Sequence, residues 1–400
     1  MNKKHSNNFY CLFFSQLAAN IGDVIYVVGI LTYIYQQTKN ATGPALVPVL
    51  ITIGIFFSGI ISPYMYQYIS KRNILLIFQC LKVVVMLFIL LLISMGNISL
   101  FYLYFFIFMN SLFDGFTNPI KNAMIPLLED NANITIANAK MNTMSNVVQV
   151  GSWSLGGILL SLIGNINLVI LTIIVYIISV IFIYFMDNII DYDTKKESFH
   201  KSFFTMLSIN FKNKESIFLN SSTFIESFAH SVWIAAILLI YIQAFLKVET
   251  FWFGMINATF FLGLILAGLW VNFKDAFFQK RATFLIVYLP IIIGIVNVSF
   301  GLHKYIYLSL IFSCIFGFLD EVRSIVLYSA IQLKLNDSQL TSTFILNNMI
   351  YSFSFSLSTL LVSYIVDHYG VPFAFYLGGI AYFLVFILGF TSRVDFTLSK

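Results

Sequence analysis

From Phe9 to about Gln37 the chain is almost continuously apolar, and one carboxylate, Asp23, stands near the middle of the run. A stretch of that length crosses the hydrocarbon core of a bilayer, which takes about 20 helical residues. An ionised group at that depth is costly, so Asp23 is expected to line a wet cavity rather than face lipid. Gln16, Asn20 and Asp23 are spaced i, i+4, i+7, which sets them on one helical face. A polar stripe ending on a central acid is what a transport pathway needs from a membrane helix.

The rest of the chain extends the pattern. Only 10% of the 400 residues are charged, against roughly a quarter in soluble domains, and 59% are hydrophobic. The sequence predicts an all-α integral membrane protein. Apolar stretches fall at about 9–36, 45–69, 74–95, 98–121, 138–163 and 166–187, then at 218–246, 251–273, 282–301, 303–332, 339–366 and 370–391. These predict twelve transmembrane helices in two six-helix bundles, residues 1–190 and 217–400, joined by a polar cytoplasmic linker at 191–216. The 44 Phe and 22 Tyr suit lipid-facing and interfacial positions.

Basic residues orient the helices. With the N-terminus inside, Lys39, Lys247 and Lys304 alone reach the far side, whereas Lys3, Lys4, Lys71, Arg72, the linker lysines and most others collect on the near one. This asymmetry predicts a multi-pass protein of the cell membrane with both termini cytoplasmic. The excess of positive charge is topogenic and does not suggest nucleic acid. Cys11, Cys80 and Cys314 lie in or beside apolar runs without paired spacing and read as small hydrophobes, not ligands.

The two halves resemble each other. At an offset of 206 residues, Leu112-Phe113-Asp114 falls on Phe318-Leu319-Asp320, Asn142 on Asn348, and Asn20 on Glu226. A parallel repeat of this kind is built into two-domain secondary transporters. Asp23 falls on Ala229, so it has no acidic counterpart at that offset.

The polar residues inside the spans supply the candidate site. Glu226 and His230, one turn apart, and Asp23 are candidates for proton coupling, since a desolvated carboxylate and an imidazole both titrate within reach of neutrality. A buried hydrogen-bonded pair that only holds helices together is the alternative. Gln16, Asn20, Asn142, Asn146, Gln149, Trp153, Trp233 and Tyr351 form amide and aromatic bands and are candidates for gripping a solute; close helix packing explains part of the same pattern. Asp114, Lys121, Asp320, Glu321 and Arg323 lie within about two turns of the cytoplasmic end, where salt bridges would close an inner gate. Lys82 either snorkels to the interface or pairs with a neighbouring acid, and is uninformative by itself. No phosphate-binding Gly-rich Lys-Ser/Thr loop is present and no His or Cys cluster marks a metal, so no cofactor is expected and energy must come from a gradient. An enzyme embedded in the membrane, with Glu226 and His230 as its base pair, is the competing class.

Asn20-Ile21-Gly22-Asp23 resembles the first-helix Asn-x-Gly-Asp signature of the major facilitator superfamily, in particular of its drug and macrolide efflux-like exporters. Asn118-Pro119, Pro126-Leu127-Leu128, Ala137-Asn138-Ala139 and Leu155-Gly156-Gly157 resemble the family's segment from the fourth to the fifth span. The resemblance implies two pseudo-symmetric bundles working by alternating access. It implies a monomeric antiporter that moves a small organic solute outward in exchange for protons. The Asn-, Ile-, Lys- and Phe-rich usage is also similar to that of opine metallophore exporters, with multidrug or macrolide efflux as the alternative. The acidic residue the family carries after its second span is absent here, where Gln67 and Tyr68 stand, and so is the usual arginine of the fourth span.

Overall fold

In the computed structural model the residues described are 3–38, 42–95, 100–187, 198–233, 235–249, 251–392, 394 and 396. Among them every regular element is a helix. The chain forms α1 (Lys3–Thr38), α2 (Thr42–Met65), α3 (Lys71–Ser94), α4 (Leu100–Leu128), α5 (Ile134–Tyr184), α6 (Phe199–Lys212) and α7 (Lys214–His230). It continues with α8 (Ala235–Ile240), α9 (Phe251–Phe273), α10 (Asp275–Lys280), α11 (Ala282–Leu302), α12 (Ile306–Lys334), α13 (Asp337–Tyr369) and α14 (Val371–Ser392).

Nine helical stretches among the described residues are long and apolar enough to cross a membrane on composition alone. The fold has twelve crossings, and the other three run through α12, the part of α5 before Gly164, and α7 with α8. Helix α12 carries Asp320, Glu321 and Arg323. The part of α5 before Gly164 carries the amides Asn142, Asn146 and Gln149. The seventh crossing is broken: α7 passes into a 3-10 turn at Ser231–Trp233, α8 and a π turn at Tyr241–Leu246. Gly164, at φ 74°, divides the 51-residue α5 into two crossings, a backbone conformation that a side chain would oppose.

Helices pack closely where side chains are small. At Gly54 the α2 backbone meets that of α4 around Leu112, and at Gly263 the α9 backbone meets that of α12 at Cys314 and Phe318. A methyl group at either glycine would collide with main chain, which is the role small residues play between membrane helices. The α2–α4 and α9–α12 contacts are equivalent in the repeat, so the two halves share their packing as well as their spacing.

Compactness divides the chain differently from a cut at the linker. One unit comprises Met1–Asp130, Val147–Ser208 and Asp337–Ser352; the other comprises Asn131–Asn146, Ile209–Asn336 and Phe353–Lys400. Each unit thus takes the first turns of a long helix, α5 or α13, from the opposite half of the sequence. The described part of the expected linker includes helix α6, and Gln67 Nε2 donates to Ser202 Oγ of that helix at 2.6 Å. Arg72 donates to the carbonyls of Ile183 and Tyr184, the last of α5, as a basic group at a helix C-terminus does.

Candidate functional site

The first unit gathers its ionisable groups around Lys82. This residue projects from the buried face of α3, while Val84, Leu87 and Phe88 of the same helix are exposed to the apolar exterior. Its Nζ lies 2.6 Å from Asp23 Oδ1 of α1 and 2.6 Å from Asp114 Oδ1 of α4. Tyr176 of α5 donates its hydroxyl to Asp23, and its ring lies beneath the ammonium at 4.6 Å. Four helices meet at one cation. A lysine that is 1% exposed would be untenable alone; two carboxylates and an aromatic face compensate it. The carboxylates keep 29% and 24% exposure, so their outer edges remain open to a ligand or to water.

The second unit holds a larger cluster. Arg323 of α12 is fully buried and donates Nη1 to Glu226 of α7 and Nε to the Ile286 carbonyl of α11 at 3.1 Å. Asp320, one turn earlier, pairs with His230 Nε2 at 3.3 Å and accepts 2.8 Å from the Tyr382 hydroxyl of α14. That hydroxyl also lies 3.2 Å from His230 Nε2. His230 is the last residue of α7, where the helix tightens into the 3-10 turn, so its ring turns toward α12. Glu226 and His230 share a helix but not a partner. The carboxylate that holds Arg323 comes from α7, not from Asp320 or Glu321 of its own helix.

The remaining candidates are distributed as follows. Asn142 and Asn146 lie beside Glu321, within the second unit. Trp233 stacks on Phe316 with centroids 4.5 Å apart and donates Nε1 to Asn297 Oδ1, so its indole is held inside the second unit. Gln16 is buried and Asn20 half-buried on α1, whereas Gln149 and Tyr351 are exposed. Lys121 is half-buried on α4, within electrostatic range of Asp114 and Asp23. The side chain of Trp153 lies outside the described residues.

Three participants escaped the sequence: the bridging role of Lys82, and the tyrosines 176 and 382. One signal was available. Tyr176 and Tyr382 are themselves 206 residues apart, the same offset that carries Asp114 onto Asp320. Among the described residues there is no cluster of His, Cys, Asp and Glu suited to a metal ion.

Residues 4–399, nearly the whole chain, match the family model of a major facilitator group described as a transmembrane secretion effector. The chain belongs to the major facilitator superfamily. Its relatives in this superfamily include two uncharacterised MFS-type transporters of Bacillus subtilis. YfmI is 24% identical over 394 residues, covering 96% of each chain, and YjbB is 20% identical over 388 residues, covering 96% of this chain and 95% of its own. Among solved major facilitator structures, a bacterial homologue of the iron transporter ferroportin superposes with a TM-score of 0.80 at 12% identity, covering 96% of this chain and 99% of its own. The Escherichia coli fucose:proton symporter superposes with a TM-score of 0.74 at 12% identity, covering 98% of each. At those identities the structural likeness concerns the fold. The protein is a transporter and not an enzyme.

Proposed function

We propose that this carrier exports a small organic solute from the cytoplasm by alternating access, driven by protons moving inward. The supporting observation is the pair of ionic clusters buried at the level of the membrane crossings, one in each unit. Groups as costly as Asp23, Lys82, Asp114, Glu226 and Arg323 are kept inside membrane helices where they handle charge. In this reading the carrier works as a monomer in the cell membrane with both termini cytoplasmic. Asp23 and Glu226 carry the coupling, His230 modulates it, and Asn142 and Asn146 reach the solute. The solute we favour is a zwitterionic opine metallophore such as staphylopine, whose carboxylates suit the bases and whose amines suit the acids. The stacked wall of Trp233, Phe260 and Phe316 favours a second reading, multidrug or macrolide efflux.

Inverted membrane vesicles test direction and coupling together, because an exporter fills them when a proton gradient is imposed. Asp23→Asn and Glu226→Gln should each reduce that accumulation to background. If both variants still accumulate solute, the coupling assignment is wrong. Metabolite comparison of medium and cytoplasm from deletion and wild-type cells under metal starvation decides the solute: intracellular build-up of an opine chelator supports the first reading. Altered drug tolerance without build-up supports the second.

A further inference from the structure

Five charged or titratable side chains on α7 and α12 lie together in the second unit, three of them buried, and four of the five are paired. Glu226 holds Arg323, and His230 holds Asp320 with Tyr382 donating to the same carboxylate. Glu321 is the fifth. It is 8% exposed, its Oε1 has no hydrogen-bond partner, and among the described residues no cationic side chain comes within ion-pair distance of it. Its polar neighbours are the amides of Asn142 and Asn146 and, next in sequence, the like-charged Asp320. Of the helices packed against α12, α9 carries no titratable side chain and α11 carries only Tyr288. Helix α7 brings Glu226 and His230, both already engaged, and α5 carries Lys140 two residues from Asn142.

A carboxylate withdrawn from water without a counter-ion is strongly disfavoured; it takes up a proton or recruits a cation. The two amides suit either protonation state. An Nδ2 group donates to a carboxylate, and an Oδ1 accepts from a carboxylic acid, so a rotation of the amide follows the proton. We propose that Glu321, framed by Asn142 and Asn146, is the proton-holding acid of the second unit, and that the Glu226–Arg323 and Asp320–His230 pairs set the field around it. This rests on the proton-coupled reading above and relocates its acid from Glu226. With the proton in place Glu321 is neutral. Without it, Glu321 and Asp320 are adjacent like charges, an arrangement that entering water or a cation relieves. Protonation and access to water are thereby tied, which is what a coupled carrier requires.

Infrared difference titration of the purified full-length protein in lipid nanodiscs reads the carboxylic-acid carbonyl directly and needs neither solute nor gradient. A protonated-acid band at neutral pH is expected in the wild type. It should vanish in Glu321→Gln, persist in Glu226→Gln, and move in frequency in Asn142→Ala or Asn146→Ala, which change its hydrogen bonding. Absence of the band in the wild type, its persistence in Glu321→Gln, or its loss in Glu226→Gln overturns the assignment. Should Glu321→Gln fail to fold, the same decision falls to Asn146→Ala and Glu321→Asp, either of which must displace the band. If the band behaves as stated but vesicle transport proves independent of protons, the functional reading fails and the site assignment stands.

Discussion

The two ionic clusters are built on one skeleton and differ in their cations. Asp114 of α4 and Asp320 of α12 are equivalent in the repeat, as are Tyr176 of α5 and Tyr382 of α14, and in each unit the tyrosine donates to a clustered carboxylate. The base is what diverged. In the first unit it is Lys82, from α3; at the equivalent place on α11 stands Tyr288, exposed at 39%, and the second unit draws its bases from α7 and α12 instead. A lysine stays charged across the physiological range, whereas an imidazole titrates within it. The first cluster is therefore a fixed bridge among four helices, and the second is a divided set in which Arg323 stays charged while the imidazole of His230 can change charge by itself. The repeat conserves the acid and the hydroxyl, and leaves the chemistry of response to the base.

The sharpest way to break this contrast is to remove each fixed cation. Lys82→Met leaves Asp23 and Asp114 facing each other without compensation, and Arg323→Met does the same to Glu226. Stripping one partner from a buried pair costs about 3–5 kcal/mol, so both variants should lose most of their thermal stability in detergent. The double variant Lys82→Met/Asp114→Asn should recover part of that loss, because one of the stranded charges is gone. A double variant no more stable than Lys82→Met would mean that Lys82 acts through its packing rather than its charge.

His230→Gln should cost less, about 1–3 kcal/mol, because Tyr382 still donates to Asp320 when the imidazole is gone. Thermal unfolding of His230→Gln beside Lys82→Met checks the order. Equal losses would erase the distinction between a fixed bridge and a responsive set.

Much of this was legible beforehand, and the boundary has a physical cause. Periodicity reports which residues share a face of one helix, so Gln16, Asn20 and Asp23 could be aligned, and the repeat offset could equate Asp114 with Asp320. Neither rule reports which face of another helix lies opposite. Lys82 meets partners 59 and 32 residues away in sequence, and nothing in α3 alone distinguishes a bridging lysine from one that reaches to the interface. The same limit explains why Glu226 and His230, a natural pair by i, i+4 spacing, hold different partners across the bundle. The exchange of helix segments between units was equally hidden, since the polar bands in 138–163 and 339–366 do not report which half of the sequence their first turns pack against.

The smallest expected effect is also the most discriminating. Tyr176→Phe and Tyr382→Phe remove equivalent hydroxyls, and symmetry taken alone predicts equal losses. The surroundings predict otherwise. Asp23 keeps Lys82 at 2.6 Å after Tyr176→Phe, and the phenyl ring still lies beneath the ammonium, so a loss of about 0.5–1 kcal/mol is expected. Asp320 keeps only the longer 3.3 Å contact with His230 after Tyr382→Phe, and the imidazole loses a neighbour as well, so about 1.5–3 kcal/mol is expected. Unfolding of the two variants side by side, at one pH and in one detergent, reads the difference. A larger loss for Tyr176→Phe would show that the first cluster depends on its hydroxyl rather than on its lysine, and the two clusters would then differ less than their bases suggest.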